Sequence, residues 1–109
     1  MAQAAAAVGQ RVTIIPAGER WEDGSLRPAL EDWLGAGAIL AHLQGSGSPE
    51  AEAAVAAFLH LRERLFETLS ACGSGKEAID RGSIEDIRLA ADLNASPVAP
   101  RLVDGAFQA

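Results

Sequence analysis

The residues best suited to chemistry lie between Ala17 and Gly37. This stretch separates two apolar segments and holds five carboxylates and two arginines: Glu19, Glu22, Asp23, Glu31 and Asp32 with Arg20 and Arg27. Carboxylate oxygens suit Mg²⁺, and guanidinium groups suit phosphate. Clustered carboxylates alone repel a phosphate dianion, whereas a bound Mg²⁺ reverses the local charge. The composition of the stretch therefore predicts a magnesium-assisted phosphate site.

A purely structural interpretation of the same residues stays open. Glu31 and Asp32 fall in the first turn of a predicted helix, where carboxylates stabilise the helix dipole. Glu19 follows a predicted strand and could form a salt bridge with Arg20 or Arg27. The sequence alone does not choose between ion pairing and metal binding.

Other candidate motifs are weaker. The stretch Gly73-Ser-Gly-Lys76 resembles a phosphate-binding loop, but the first glycine of that motif is missing and Glu77 replaces its Ser or Thr. We interpret it as a turn followed by a helix. His42 and His60 fall on separate helices without metal-ligand spacing, and Cys72 is typical of a small buried side chain.

Composition limits the partners. The 109 residues suffice for one domain, and the net charge of −6 argues against nucleic acid and anionic membranes. A single cysteine excludes an internal disulfide and fits a reducing, cytoplasmic environment. The apolar runs are too short to cross a membrane, and the first residues lack the basic segment of a signal peptide.

The elements that position the charged stretch follow from hydrophobic patterning. The β-branched run Arg11 to Ile15 predicts a strand covered on both faces. Pro28 then predicts the first position of a helix that ends near Leu43. Within this helix, Gly35 and Gly37 indicate close backbone approach to another element.

The rest of the chain is predicted to be mainly helical. A helix is expected from Ser48-Pro49 to about Ala71, a short one over residues 76–80, and a last one from Ser83, as part of a capping box, to about Leu93. Residues 2–8 predict a short helix, and the C-terminal tail predicts short extended pieces. We therefore expect an α/β fold in which helices predominate.

The order of several motifs resembles the 2-phosphosulfolactate phosphatase family. These are Ala-Gly-Glu-Arg-Trp from Ala17, Asp-Gly-Ser-Leu-Arg-Pro-Ala-Leu-Glu-Asp from Asp23, Gly-Ala-Gly-Ala-Ile from Gly35, and Pro-Arg-Leu-Val-Asp-Gly-Ala-Phe from Pro100. The resemblance extends over almost the whole chain. It implies a Mg²⁺-dependent phosphatase that hydrolyses 2-phosphosulfolactate to sulfolactate and phosphate, a step of coenzyme M biosynthesis.

The resemblance is confined to the C-terminal half of the family pattern. Family members are roughly twice as long, and their Asp-Val-Leu-Arg-Ala-Thr and Thr-Asn-Gly-Thr stretches are absent here. We therefore expect a helix-rich C-terminal fragment of a three-layer α/β/α phosphatase, with one or few strands. An active site assembled from both halves could not be completed by this fragment alone, and the expected partners are the missing N-terminal half or a second copy in a homodimer.

The matching motif supplies the expected site residues. Glu19 and Asp32 are expected to be catalytic, and together with Asp23 they would hold Mg²⁺. Arg20, Ser25 and Arg27 would bind the phosphorylated sulfonate. The alternative is a non-catalytic acidic helical domain that pairs with another chain through the apolar segment at residues 12–15.

Overall fold

A computed structural model describes residues 1–9 and 11–108. Within these described residues, six α-helices, one 3₁₀ turn and four short strands follow in this order: α1 (Ala2–Ala6), β1 (Glu19–Arg20), β2 (Leu26–Arg27), α2 (Leu30–Leu40), α3 (Pro49–Leu61), the 3₁₀ turn (Arg62–Arg64), α4 (Leu65–Ala71), α5 (Gly73–Asp80), α6 (Ile84–Ala91), β3 (Arg101–Val103) and β4 (Ala106–Gln108). The predicted predominance of helix is confirmed.

Helix α3 begins where the sequence predicts. Ser48 adopts an extended conformation, and its hydroxyl accepts a hydrogen bond from the backbone N–H of Ala51 at 3.3 Å. Pro49 occupies the first helical position, where its missing N–H costs nothing. Ser48 therefore satisfies one of the donors that a helix leaves unpaired at its start.

Loss of this cap should be measurable. Replacing Ser48 with alanine is expected to lower the free energy of unfolding by about 1 kcal/mol, because an N–H of the first turn loses its partner. Ser83 precedes α6 but makes no capping hydrogen bond through its side chain. Ser83→Ala is therefore a matched control, and urea denaturation should show a clearly smaller effect for it. Equal losses in both variants would contradict the cap at Ser48.

Helices α2 and α3 approach closely at Gly37. A Cβ atom at this position would overlap the carbonyl oxygen of Ala54, and would lie 2.8 Å from the Ala54 carbonyl carbon and 2.9 Å from Cβ of Phe58. Gly35 faces open space, with nothing within 4 Å of an added Cβ. The predicted close approach is confirmed at Gly37 and wrong at Gly35.

The long helix predicted from Ser48-Pro49 to Ala71 is interrupted. The 3₁₀ turn Arg62–Arg64 separates α3 from α4, and α4 then packs against α5 and α6. One core joins the helices on both sides of the break: Leu34, Phe58, Leu65, Leu69, Ala78 and Ile87. The apolar periodicity was therefore a good guide to the core, but it did not reveal the change in winding.

The strand predicted over Arg11 to Ile15 is wrong. These residues form no ladder in the described structure, and Ile15 is 82% exposed. A β-branched run becomes a strand only when another strand can pair with it, and the described residues offer this segment none. The expected burial of Arg11 to Ile15 on both faces is wrong for the same reason.

Several predicted helix ends also shift. Pro28 lies before α2, which begins at Leu30 and ends at Leu40. Helix α5 begins at Gly73, so the glycines belong to its first turn and do not precede it. The capping box at Ser83 is not formed, since its side chain makes no cap hydrogen bond, and α6 ends at Ala91.

The strands form two separate antiparallel hairpins, β1 with β2 and β3 with β4. The second hairpin confirms the extended pieces expected in the tail, and its three-residue strands are exposed. Helices with a few short strands are compatible with an α/β class, and the three-layer arrangement stays a prediction. Among the described residues, no helix combines the length and apolarity needed to cross a bilayer.

Candidate functional site

The tip of the first hairpin is held by its own polar residues. Gly24 has a φ of 82°, a conformation that suits glycine in a tight turn. Asp23 accepts hydrogen bonds from the backbone N–H of Ser25 at 2.9 Å and from its hydroxyl at 2.6 Å. Nη1 of Arg20 donates to the carbonyl oxygen of Gly24 at 2.9 Å. These three predicted site residues therefore shape the turn in the structure.

The base of the hairpin brings Glu19 and Arg27 together. The two residues are partners in the β1–β2 ladder, and Nε of Arg27 lies 3.3 Å from Oε2 of Glu19. Strand pairing therefore aligns an acid from β1 with a base from β2. This confirms the ion pair that the sequence left as one of two partners for Glu19.

Arg27 is also bound from the far side by helix α5. Its Nη1 and Nη2 donate to Oε2 and Oε1 of Glu77 at 3.0 and 2.9 Å, which is the two-pronged geometry that arginine forms with carboxylates. The guanidinium carbon lies 4.6 Å from the ring centre of Trp21. Arg27 thus ties the hairpin to α5, and only 17% of its side chain remains exposed.

A cavity of about 180 Å³ opens beside this ion-pair cluster. Its lining includes the acidic residues Glu19, Glu31 and Asp86, the basic residue Arg81, the hydroxyl residue Ser74, and apolar residues of α4, α5 and α6. The Ser74 hydroxyl donates to Oε2 of Glu31 at 3.2 Å, which links α5 to the start of α2. The cavity therefore combines anionic and cationic groups at the meeting point of the hairpin, α2 and α5.

Asp32 occupies a different position. Its Oδ2 accepts a hydrogen bond of 2.7 Å from the backbone N–H of Gly18, which fixes the entry of the hairpin against the first turn of α2. Glu31, its neighbour, is the carboxylate of α2 that shares the cavity with Glu19. The structure thus brings Glu19 and Arg27 together and places Arg20, Asp23 and Ser25 at the turn.

The three carboxylates predicted to bind metal have separate local partners. Glu19 pairs with Arg27, Asp23 with Ser25 and Asp32 with Gly18. Within residues 1–9 and 11–108, no three His, Cys, Asp or Glu side chains gather as a metal site. The carboxylate oxygens suit Mg²⁺ chemically, but they do not form one protein cage. Magnesium binding at Glu19, Asp23 and Asp32 stays a prediction.

The ion pairs of Arg27 should make stability depend on pH. The hydrogen bonds between Arg27 and Glu77 lower the pKa of Glu77 below its ordinary value of 4.5 and raise the pKa of Arg27. A carboxylate with a lowered folded-state pKa adds stability above its ordinary pKa, and that stability is lost as the pH falls through the lowered value. The relevant window therefore lies below pH 4.5.

We expect the urea midpoint to fall as the pH is lowered from about 5 to about 3. The fall should be smaller in Glu77→Gln, which cannot lose a proton-linked ion pair. Glu85→Gln is the matched control, because Glu85 pairs with Arg88 at 3.3 Å within α6, and both side chains are exposed. Identical pH profiles for wild type and Glu77→Gln would contradict this role of Glu77.

Sequence reasoning missed Glu77 and Ser74 as members of this cluster. Glu77 contacts Arg27 across 50 residues of chain, and Ser74 contacts Glu31 across 43. Both residues belong to the glycine-rich stretch that resembled a phosphate loop, and this was the one local signal that α5 approaches the site. Their partners follow only from the tertiary packing.

The fold and the site together describe a small acidic chain whose arginine–carboxylate cluster shares Glu19 with a cavity of mixed polar and apolar lining. The model of the 2-phosphosulpholactate phosphatase family matches residues 1–105 of the 109, and the chain belongs to this family. The resemblance seen in the sequence motifs is therefore confirmed. No curated protein and no solved structure matches the chain significantly.

Proposed function

We propose that this chain forms part of a phosphatase that hydrolyses 2-phosphosulfolactate to sulfolactate and phosphate in coenzyme M biosynthesis. Membership of the family supports the reaction class. The observation that carries the proposal is the position of Arg27, whose guanidinium is fixed by β-pairing, by Glu77 and by Trp21 next to Glu19, a residue that lines the cavity. A fixed guanidinium is the group that recognises a phosphate with two parallel hydrogen bonds.

The remaining residues have proposed roles that follow the sequence. Arg27 and Arg20 bind the phosphate and sulfonate oxygens, and Ser25 orients the substrate. Glu19 and Asp32 hold Mg²⁺ directly or through water, with Asp23 as a further ligand. Mg²⁺ keeps several waters and often needs only one or two carboxylates together with the substrate phosphate. When bound, the metal would supply positive charge that stabilises the developing negative charge of the phosphoryl oxygens.

The proposal includes completion of the site by a second segment. The cavity is open to solvent. Ile15, in the segment that precedes β1, is 82% exposed. An N-terminal half of the family type would cover this side and contribute further substrate contacts. We propose that the chain has little activity until such a half is present, and that the assembled enzyme is cytoplasmic.

The test is a phosphate-release assay with 2-phosphosulfolactate. The purified chain is assayed alone and mixed with the N-terminal half of a full-length family member, with Mg²⁺ or with EDTA. Release is expected only in the mixture that contains Mg²⁺. Absence of release from the mixture, under conditions in which the full-length relative is active, would refute the proposal. Undiminished release in EDTA would refute the metal requirement alone.

Exposed apolar side chains favour a second candidate function. Ile15, Leu26 and Phe107 are 82, 66 and 77% exposed, which suits a small acidic domain that pairs with another chain and performs no catalysis. Sedimentation of the purified chain distinguishes a monomer from a homodimer. A stable homodimer without phosphatase activity in any mixture would favour this second function.

A further inference from the structure

The guanidinium of Arg27 is already occupied by protein carboxylates. Glu77 takes one hydrogen bond from Nη1 and one from Nη2, and Glu19 lies 3.3 Å from Nε. Trp21 covers one face of the same group, with its ring centre 4.6 Å from the guanidinium carbon. A phosphate therefore cannot use the two-pronged face of Arg27 while Glu77 remains in place.

Charge leads to the same conclusion. Two carboxylates surround one guanidinium, so the cluster of Glu19, Glu77 and Arg27 has an excess negative charge. A phosphate monoester, which carries nearly two negative charges at neutral pH, would be repelled by the intact cluster. Departure of Glu77 would remove the competing acceptor and leave a neutral pair of Arg27 with Glu19.

Glu77 has a second cation within reach. Arg81, the residue that directly follows α5 and keeps helical backbone angles, lies four residues after Glu77, so the two side chains project from the same face in the favourable order of acid before base. Hydrogen bonding to Arg27 lowers the pKa of Glu77 most, and the charge of Arg81 lowers it further. The Glu77 side chain is 48% exposed, so it can turn away without opening the core.

We propose that Glu77 is a positioning residue that holds Arg27 before substrate arrives and transfers to Arg81 when phosphate takes its place. The proposal rests on the proposed function, because it takes Arg27 as the phosphate-binding residue. Glu77 keeps the guanidinium in a fixed orientation in the free protein. The exchange from one arginine to another preserves an ion pair for Glu77, so phosphate binding need not leave that carboxylate alone.

Inorganic phosphate and the fluorescence of Trp21 provide the test. The chain has two tryptophans, so Trp33→Phe leaves Trp21 as the sole emitter. In that background, phosphate should change the emission because Arg27 stacks on Trp21. Glu77→Gln should bind phosphate about two- to fivefold more tightly, which is the range expected when an exposed ion pair no longer competes.

A double-mutant cycle separates exchange from simple structural support. Arg81→Gln should weaken phosphate binding about twofold, because Glu77 then loses its alternative partner. The same substitution should have little effect once Glu77 is already glutamine, which is the coupling that defines a shared mechanism. Glu85→Gln is the matched control, since its partner Arg88 lies outside the cluster, and it should bind phosphate as the parent does.

The outcomes are distinct. Phosphate binding that is unchanged or weakened in Glu77→Gln overturns the exchange, as does a chain in which phosphate never alters Trp21 emission. An Arg81 effect that persists in Glu77→Gln also overturns it, because Arg81 would then contact the anion itself. The expected binding pattern, without hydrolysis of 2-phosphosulfolactate by the chain mixed with an N-terminal half and Mg²⁺, would support the exchange and refute the proposed function. Hydrolysis by that mixture, with no tighter phosphate binding in Glu77→Gln, would support the proposed function and overturn the exchange.

Discussion

Replacing Gly37 with alanine is expected to lower the free energy of unfolding by about 2 kcal/mol. The added methyl group would meet backbone atoms of Ala54 and the Cβ atom of Phe58, all on helix α3. None of these is the end of a flexible side chain that could rotate away. Relief therefore requires α2 and α3 to separate, which loosens contacts around Phe58, a side chain that is only 4% exposed.

Gly35 offers a control in the same helix. An added Cβ there has nothing within 4 Å, so Gly35→Ala is expected to raise stability by up to about 1 kcal/mol through helix propensity. Urea denaturation followed by circular dichroism measures both variants. The diagnostic result is a free energy of unfolding that falls in Gly37→Ala and rises in Gly35→Ala. If both alanines stabilise the chain, the close crossing of α2 and α3 at Gly37 is wrong.

Replacing Arg27 with alanine is expected to lower kcat/KM of the completed phosphatase by about a hundredfold or more, the scale seen when a preorganised electrostatic group is removed from a site. The variant loses the guanidinium that β-pairing and Glu77 fix beside the cavity. Arg27→Lys keeps a positive charge but lacks the planar fork. Arg27→Lys should therefore recover only a small part of the kcat/KM that Arg27→Ala loses.

Arg62→Ala is the matched control for this experiment. Its side chain is 51% exposed and pairs with the adjacent Glu63, on the 3₁₀ turn between α3 and α4. Removing it deletes the same positive charge from the chain without touching the cluster around Arg27. Phosphate release by Arg62→Ala should therefore match that of the parent. Equal turnover by Arg27→Ala and Arg62→Ala would remove Arg27 from the proposed site.

Local signals predicted the helices well and the strand poorly. Ser48-Pro49 marks a helix start because the cap and the proline act on adjacent backbone groups. The run from Arg11 to Ile15 has strand-forming residues, but strand formation needs a partner elsewhere in space. The 3₁₀ turn at Arg62–Arg64 was also not predicted, because Leu65 and Leu69 continue the apolar pattern of the core after it.

The candidate site was predictable only in part. The pairing of Glu19 with Arg27 could be anticipated because both belong to one short charged stretch. The partner on the other side of Arg27, Glu77, comes from a helix 50 residues away, and no spacing rule connects the two. Asp32 is a second case, since its hydrogen bond from the backbone N–H of Gly18 joins residues 14 positions apart and no local signal predicted it.

The exposed apolar side chains have a consequence for the colloidal behaviour of the purified chain. Mutual repulsion between copies that each carry a net charge of −6 opposes contact between side chains such as Ile15 and Phe107. Added salt shortens the reach of that repulsion to about 8 Å at 0.15 M. Light scattering should therefore increase with ionic strength, and dilute buffer should keep the molecules dispersed.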